Sequence, residues 1–145
     1  MQHIGIFDIN FDTGEQYWSA ELRRILRVPN GAPPEFLIVL QRAHPNDRRA
    51  LVTFAMEPLQ GRCPQHRSFE HRLLDPDGAV RWVHVEAGAV FRAGGKGDVI
   101  RVIGLVTEIA RPKTSARAVE DFASTGNHEA APVSLAEKQL QLTPT

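Results

Sequence analysis

The chain holds 145 residues, with 17 Lys and Arg balanced by 17 Asp and Glu. That length suits one domain with a full hydrophobic core and a tail, and the balanced charge excludes the basic footprint of a nucleic-acid binder. No apolar run approaches the roughly 18 residues of a membrane span; neither nucleic acid nor a membrane is expected as a partner of this chain.

Residues 1–10, MQHIGIFDIN, lack the basic region and long apolar run of a secretory signal. The single cysteine, Cys63, excludes an intrachain disulfide, and a cytoplasmic location is expected.

In chain order, residues 4–11 (IGIFDINF) read as a strand with Ile4 and Ile6 on one face and Phe7, Ile9 and Phe11 on the other. Both faces are partly apolar, as in a sheet covered on both sides. Residues 12–15 (DTGE) make a turn around Gly14, and residues 16–19 (QYWS) return as a short strand. Ser19 is placed to cap a helix over residues 20–28, whose Leu22, Ile25 and Leu26 share one face. Residues 29–34 (PNGAPP) break it, and residues 35–43 form a second short helix. A third is expected over residues 44–61, with His44 as its cap and Pro45 in its first turn. Asp47 is expected near its positive end, Leu51, Phe54 and Ala55 on its buried stripe, and Pro58 and Gly61 at its stop.

Three β-rich stretches follow: residues 66–74, 79–93 and 99–109, separated by DPDG (75–78) and GGKGD (94–98). Gly88 is expected to mark a bulge or bend. Strands grouped before and after a set of helices predict an α+β fold, an antiparallel sheet with helices gathered on one face. No internal repeat is visible. From residue 110 the β-branched density falls. Residues 115–123 are compatible with one or two helical turns, and residues 134–142 carry a Ser134/Glu137 capping box. The latter is too short to hold as an isolated helix, and residues 112–145 are expected to be a linker, a docking segment or disordered.

Five motifs in order carry a resemblance: GIFDINFDTGEQYWSAEL, HPNDR, FEHRLLDPDG, AVRWV and VIGLVTEIARPK. Over residues 4 to about 111 the sequence resembles a PAS domain with a PAC-type C-terminal half. His71 stands where that pattern has Tyr, and Glu108-Ile109-Ala110 only partly matches its closing Asp-Ile-Thr signature. The resemblance implies a PAS domain over residues 1–111, with a five-stranded antiparallel sheet and short helices on one face. It also implies a core that either holds a small ligand or is filled by side chains, and a role in sensing or dimerising to control an output domain.

The residues offer little for catalysis. Cys63 lies in GRCPQH with His66 three positions on and Arg62 beside it; the plainer reading is an incidental loop cysteine. Some PAS relatives bond a cysteine to flavin within Asn-Cys-Arg-Phe-Leu-Gln, and this stretch shares only the Cys. A haem would need an axial ligand such as histidine, and no convincing one stands out, so the cofactor is left unassigned. No compact set of metal ligands is visible.

His71 and His84 flank the turn at 75–78. If residue 74 pairs with 79, His71 faces Trp82 and His84 faces Phe69; a one-residue bulge would instead oppose Glu70 and His84. Arg72, Arg81, Arg92 and Arg101 make either a basic stripe for an anion or a solvated face paired with Glu70, Glu86 and Asp98.

The candidate pocket lining is Phe7, Ile9, Leu22, Ile25, Phe36, Leu40, Leu51, Phe54, Phe69, His71, Val102 and Gly104. The reading is a non-enzymatic sensory module for signal transduction that binds a small ligand, dimerises, or both. A ligand-free protein-interaction domain is the alternative. An enzyme using the same cavity would need an acid/base pair, for which only His71 and Glu70 offer themselves. With the first strand so close to residue 1, no preceding helix is expected over the outer sheet face. That face is therefore expected to mediate a homodimer or to take the C-terminal tail. The ending LQLTPT resembles the lead-in to a LuxR-type helix-turn-helix output domain.

Overall fold

The computed structural model describes residues 3–61, 63–94 and 97–110. The strands are β1 (Ile4–Asn10), β2 (Gln16–Trp18), β3 (His66–Leu74), β4 (Val80–Phe91) and β5 (Val99–Ile109). The helices are α1 (Ala20–Leu26), α2 (Phe36–Arg42) and α3 (Arg48–Met56). All five strands join one antiparallel sheet in the order β2-β1-β5-β4-β3, an α+β architecture with the helices over one face. Among the described residues no helix is long and apolar enough to cross a membrane. The helices expected at 115–123 and 134–142, the Ser134/Glu137 box and the LuxR-like ending lie outside the described residues.

Local chemistry explains the first hairpin. Asn10 Oδ1 accepts from the Asp12 and Thr13 amides at 3.0 and 3.1 Å, and Gly14 takes φ 80°. The chain then reverses into β2, pairing Phe7 with Trp18. Ser19 does two jobs. Its Oγ accepts from Leu22 N at 3.2 Å as the cap of α1, and from Ile6 N at 2.9 Å, tying that helix to β1. Gly5 lets the two meet: a Cβ there would come within 2.7 Å of Leu22 Cα.

The expected helix over 44–61 is divided. Pro45–Asp47 forms a 3-10 turn, α3 follows, and Glu57–Gln60 forms a second 3-10 turn ending at Gly61, with φ 74°. His44 caps the first turn, its Nδ1 accepting from Asn46 N at 3.1 Å. Asp47 stands at the start of α3, near its positive end as expected. Its carboxylate makes no capping bond and turns to Arg72 instead, accepting from Arg72 N, Nε and Nη2 at 2.7, 3.0 and 2.7 Å.

Between β3 and β4 the loop holds five residues. Asp75 N donates to Ala79 O, Gly78 adopts φ 91°, and Leu74 pairs with Val80. Of the two registers open to the sequence, this one opposes Glu70 to His84 and His71 to Val83. The register of β4 on β5 shifts between Val90 and Phe91 rather than at Gly88, which stays paired with Ile103.

The inner face carries Phe7, Leu73, Val83, Val85, Ala87, Val102 and Val106 beneath the helices. Alternation puts Ile4, Ile6, Ile103 and Leu105 on the outer face, where they are 48%, 39%, 38% and 43% exposed.

Candidate functional site

A cavity of about 130 Å³ lies between the helices and the sheet. Its floor is Phe7, Ile9, Val83, Val85, Ala87, Val102 and Val106 from three central strands. Leu22, Leu26, Phe36, Val39, Leu51, Phe54 and Ala55 from the helices, with Pro58, close it from above. Phe11 and Gln16, both exposed, stand at its rim on the first hairpin.

Three polar side chains reach the wall: Gln16, Arg67 and His71. Arg67 is engaged within the protein. Its Nη1 donates to Phe54 O at 2.6 Å and to Glu57 Oε1 at 2.9 Å, and its guanidinium lies 4.1 Å from the Phe54 ring centroid. That ring stacks on Phe69 at 5.1 Å, and Phe69 on His71 at 5.7 Å. Successive inner-face positions of β3 thus join α3 through one column of planar groups. His71 is buried, with Nδ1 3.1 Å from Arg72 O.

The structure brings Phe7, Ile9, Leu22, Phe36, Leu51, Phe54, His71 and Val102 to the cavity wall. Ile25 and Leu40 are instead buried in the packed clusters behind it. Phe69 sits behind Phe54, so its ring supports the wall without forming it. Gly104 lies under the Phe7 ring, and a Cβ there would overlap that ring. The absent side chain is what lets the outer edge of the Phe7 ring approach β5 at this point.

Arg67, Trp18 and the β4 run Val83, Val85 and Ala87 also line the cavity but escape the sequence reading. Arg67 was detectable, being two residues from Phe69 and four from His71 on a period-two strand. The β4 residues depended on the register.

Among the described residues no other titratable side chain lines the cavity. His84 is on the outer face, with Nδ1 2.8 Å from Glu70 and Nε2 3.1 Å from Glu86. His71 and Glu70 therefore occupy opposite faces of a regular strand and make no acid/base pair. Cys63 is not on the cavity wall; its Sγ contacts Pro64 O at 3.0 Å, and burial pushes its thiol pKa up, opposite to an activated nucleophile.

The four arginines make no shared stripe. Each meets a carboxylate: Arg72 meets Asp47, Arg81 meets Asp75 and Glu108, Arg92 meets Asp12, and Arg101 meets Asp8. Arg81 also donates to Ile25 O at 2.7 Å, binding the sheet to the end of α1. Among the described residues no group of three or more His, Cys, Asp or Glu could hold a metal ion.

No protein-family model matches the chain, and no curated protein matches it. Solved structures do. An RNA-binding light-oxygen-voltage receptor aligns with a TM-score of 0.64 at 22% identity; the alignment covers 87% of this chain but only 36% of the receptor. The N-terminal domain of a diguanylate cyclase with PAS/PAC sensor from Marinobacter aquaeolei aligns at 0.60 and 24% identity, over 74% of this chain and 95% of that domain. The domain of a putative light and redox sensing histidine kinase from Haloarcula marismortui aligns at 0.61 and 17% identity, over 75% and 91%. With its strand order, its helices on one face and these neighbours, the chain has the fold of a PAS domain.

Proposed function

We propose that residues 1–111 act as a non-enzymatic sensory module in signal transduction, binding a small molecule in the cavity and relaying its occupancy to an output domain or signalling partner. Residues 112–145 serve in this reading as the linker to that partner. The observation that carries the proposal is the cavity itself. Its apolar lining surrounds about 130 Å³ of space, so an apolar occupant that fits gains dispersion contacts and buries that lining from water. The described cavity wall offers no nucleophile–base or acid/base pair, which supports binding over catalysis. The solved neighbours include sensor domains of a cyclase and a kinase, and this supports the signalling role by fold likeness alone.

A second reading has its own support. Ile6 and Leu105 face each other across β1 and β5, with Ile4 and Ile103 nearby, all exposed. An apolar stripe on a sheet face favours a homodimer or another protein partner, with the cavity a packing defect and the module acting by interaction. Native mass spectrometry of freshly purified protein separates the two. A retained small mass, released on denaturation, is the expected result. A bare chain that is nonetheless dimeric would transfer the function to the sheet face.

A further inference from the structure

Granted that the cavity is a ligand site, we infer that it takes a small, neutral, largely apolar molecule with a single aromatic ring, rather than an anion or a large planar cofactor. Size comes first. Drug-sized ligands occupy pockets of about 300–1,000 Å³, whereas an apolar cavity of about 150 Å³ accommodates benzene. At about 130 Å³ this cavity falls in the second class.

Its lining sets the chemistry. Phe7, Phe36 and Phe54 line the space, among aliphatic side chains from the sheet. Such walls favour a flat aromatic guest through offset and edge-on ring contacts.

Charge decides against an anion. Two basic side chains line the described wall: His71, whose Nδ1 is 3.1 Å from Arg72 O, and Arg67, whose guanidinium is held by a backbone carbonyl and by the Glu57 carboxylate. An anion would have to shed its hydration and displace or face Glu57, which already neutralises that arginine. Gln16, exposed at the rim, can meet one neutral polar substituent, as its amide both donates and accepts.

The test uses the full chain with methyl-labelled valines and three probes: toluene, benzoate and flavin mononucleotide. Toluene is expected to shift the Val85 and Val102 methyl resonances saturably and to raise the unfolding midpoint, with benzoate at least about tenfold weaker. Filling the cavity by Ala55→Leu, or from the opposite wall by Ala87→Val, is expected to weaken toluene binding by about tenfold or more. A folded variant, judged by its unfolding transition, is sufficient for the comparison, and either one serves.

Benzoate binding as tightly as toluene would overturn the assignment of a neutral guest. Flavin mononucleotide shifting the same methyls would overturn the size limit. Both results would leave the sensory reading standing. If no probe perturbs these methyls, the inference fails; a retained mass in the native spectrum then keeps the sensory function, and a bare chain removes it as well.

Discussion

Two individual residues show how tightly the site is built. Phe7 lies over Gly104, so Gly104→Ala must drive the ring from the floor. We expect a loss of about 1–3 kcal/mol in urea unfolding, largely cancelled when Phe7→Leu is added, because the collision is with that ring. Asp47 shows the electrostatic counterpart. Burial by itself would raise its carboxyl pKa; the Arg72 side-chain and backbone hydrogen bonds outweigh this and hold it below the usual carboxylate value. A carboxyl depressed in the folded state binds fewer protons than in the unfolded state. Its stabilisation is thus complete above about pH 4, near the unfolded value, and is lost as pH falls through the folded one. Asp47→Asn is expected to cost about 2–3 kcal/mol at neutral pH and to flatten the acid limb of a stability–pH curve. Some slope will persist, because Arg81 hydrogen bonds hold Asp75 low in the same way. An unchanged limb would exclude the Asp47–Arg72 pair as a source of acid sensitivity.

Among the elements, α1 depends on its junction with β1. Ser19 Oγ receives two backbone amides, one from the helix and one from the strand. Ser19→Ala strands both donors at once and is expected to cost about 2 kcal/mol, above an ordinary cap loss of about 1 kcal/mol. Amide hydrogen exchange should quicken at Ile6 as well as at Leu22; a change confined to Leu22 would reduce Ser19 to a cap. The sequence predicts that helix, its cap and its apolar face, since all three are local. The third helix was less legible. Pro45 and Pro58 mark its ends, but only the surrounding structure tightens both ends into 3-10 turns. Asp47 sits at the positive end of the helix, as its place in the sequence suggests, but its partner Arg72 lies 25 residues away and was not legible locally.

For the whole molecule, the question is how the two sheet faces divide their work. The inner face holds the cavity; the outer one carries the exposed Ile4, Ile6, Ile103 and Leu105. If the outer face mediates self-association, Leu105→Arg should weaken the dimer about tenfold or more in sedimentation equilibrium, while toluene binding is unaffected. Loss of binding along with the dimer would mean that the two faces are coupled, and an unchanged dimer would place the interface elsewhere.

Taken alone, the sequence determined the strand and helix order, the antiparallel grouping and which residues are apolar enough to be core. Those signals are periodic and local, and a period of two or 3.6 survives without knowledge of the partner strand. Tertiary structure decided what depends on pairing. The five-residue loop at 75–79 set β3 against β4, which sent His71 to the cavity and opposed Glu70 to His84 on the outer face. It also separated the wall from the packing behind it: Ile25, Leu40 and Phe69 are as apolar as Leu22 and Phe54, and the lines of approach between helices and sheet determine which of them meets the void. A cavity is space left between elements, so its boundary is a property of their docking and is written in no single segment of the chain.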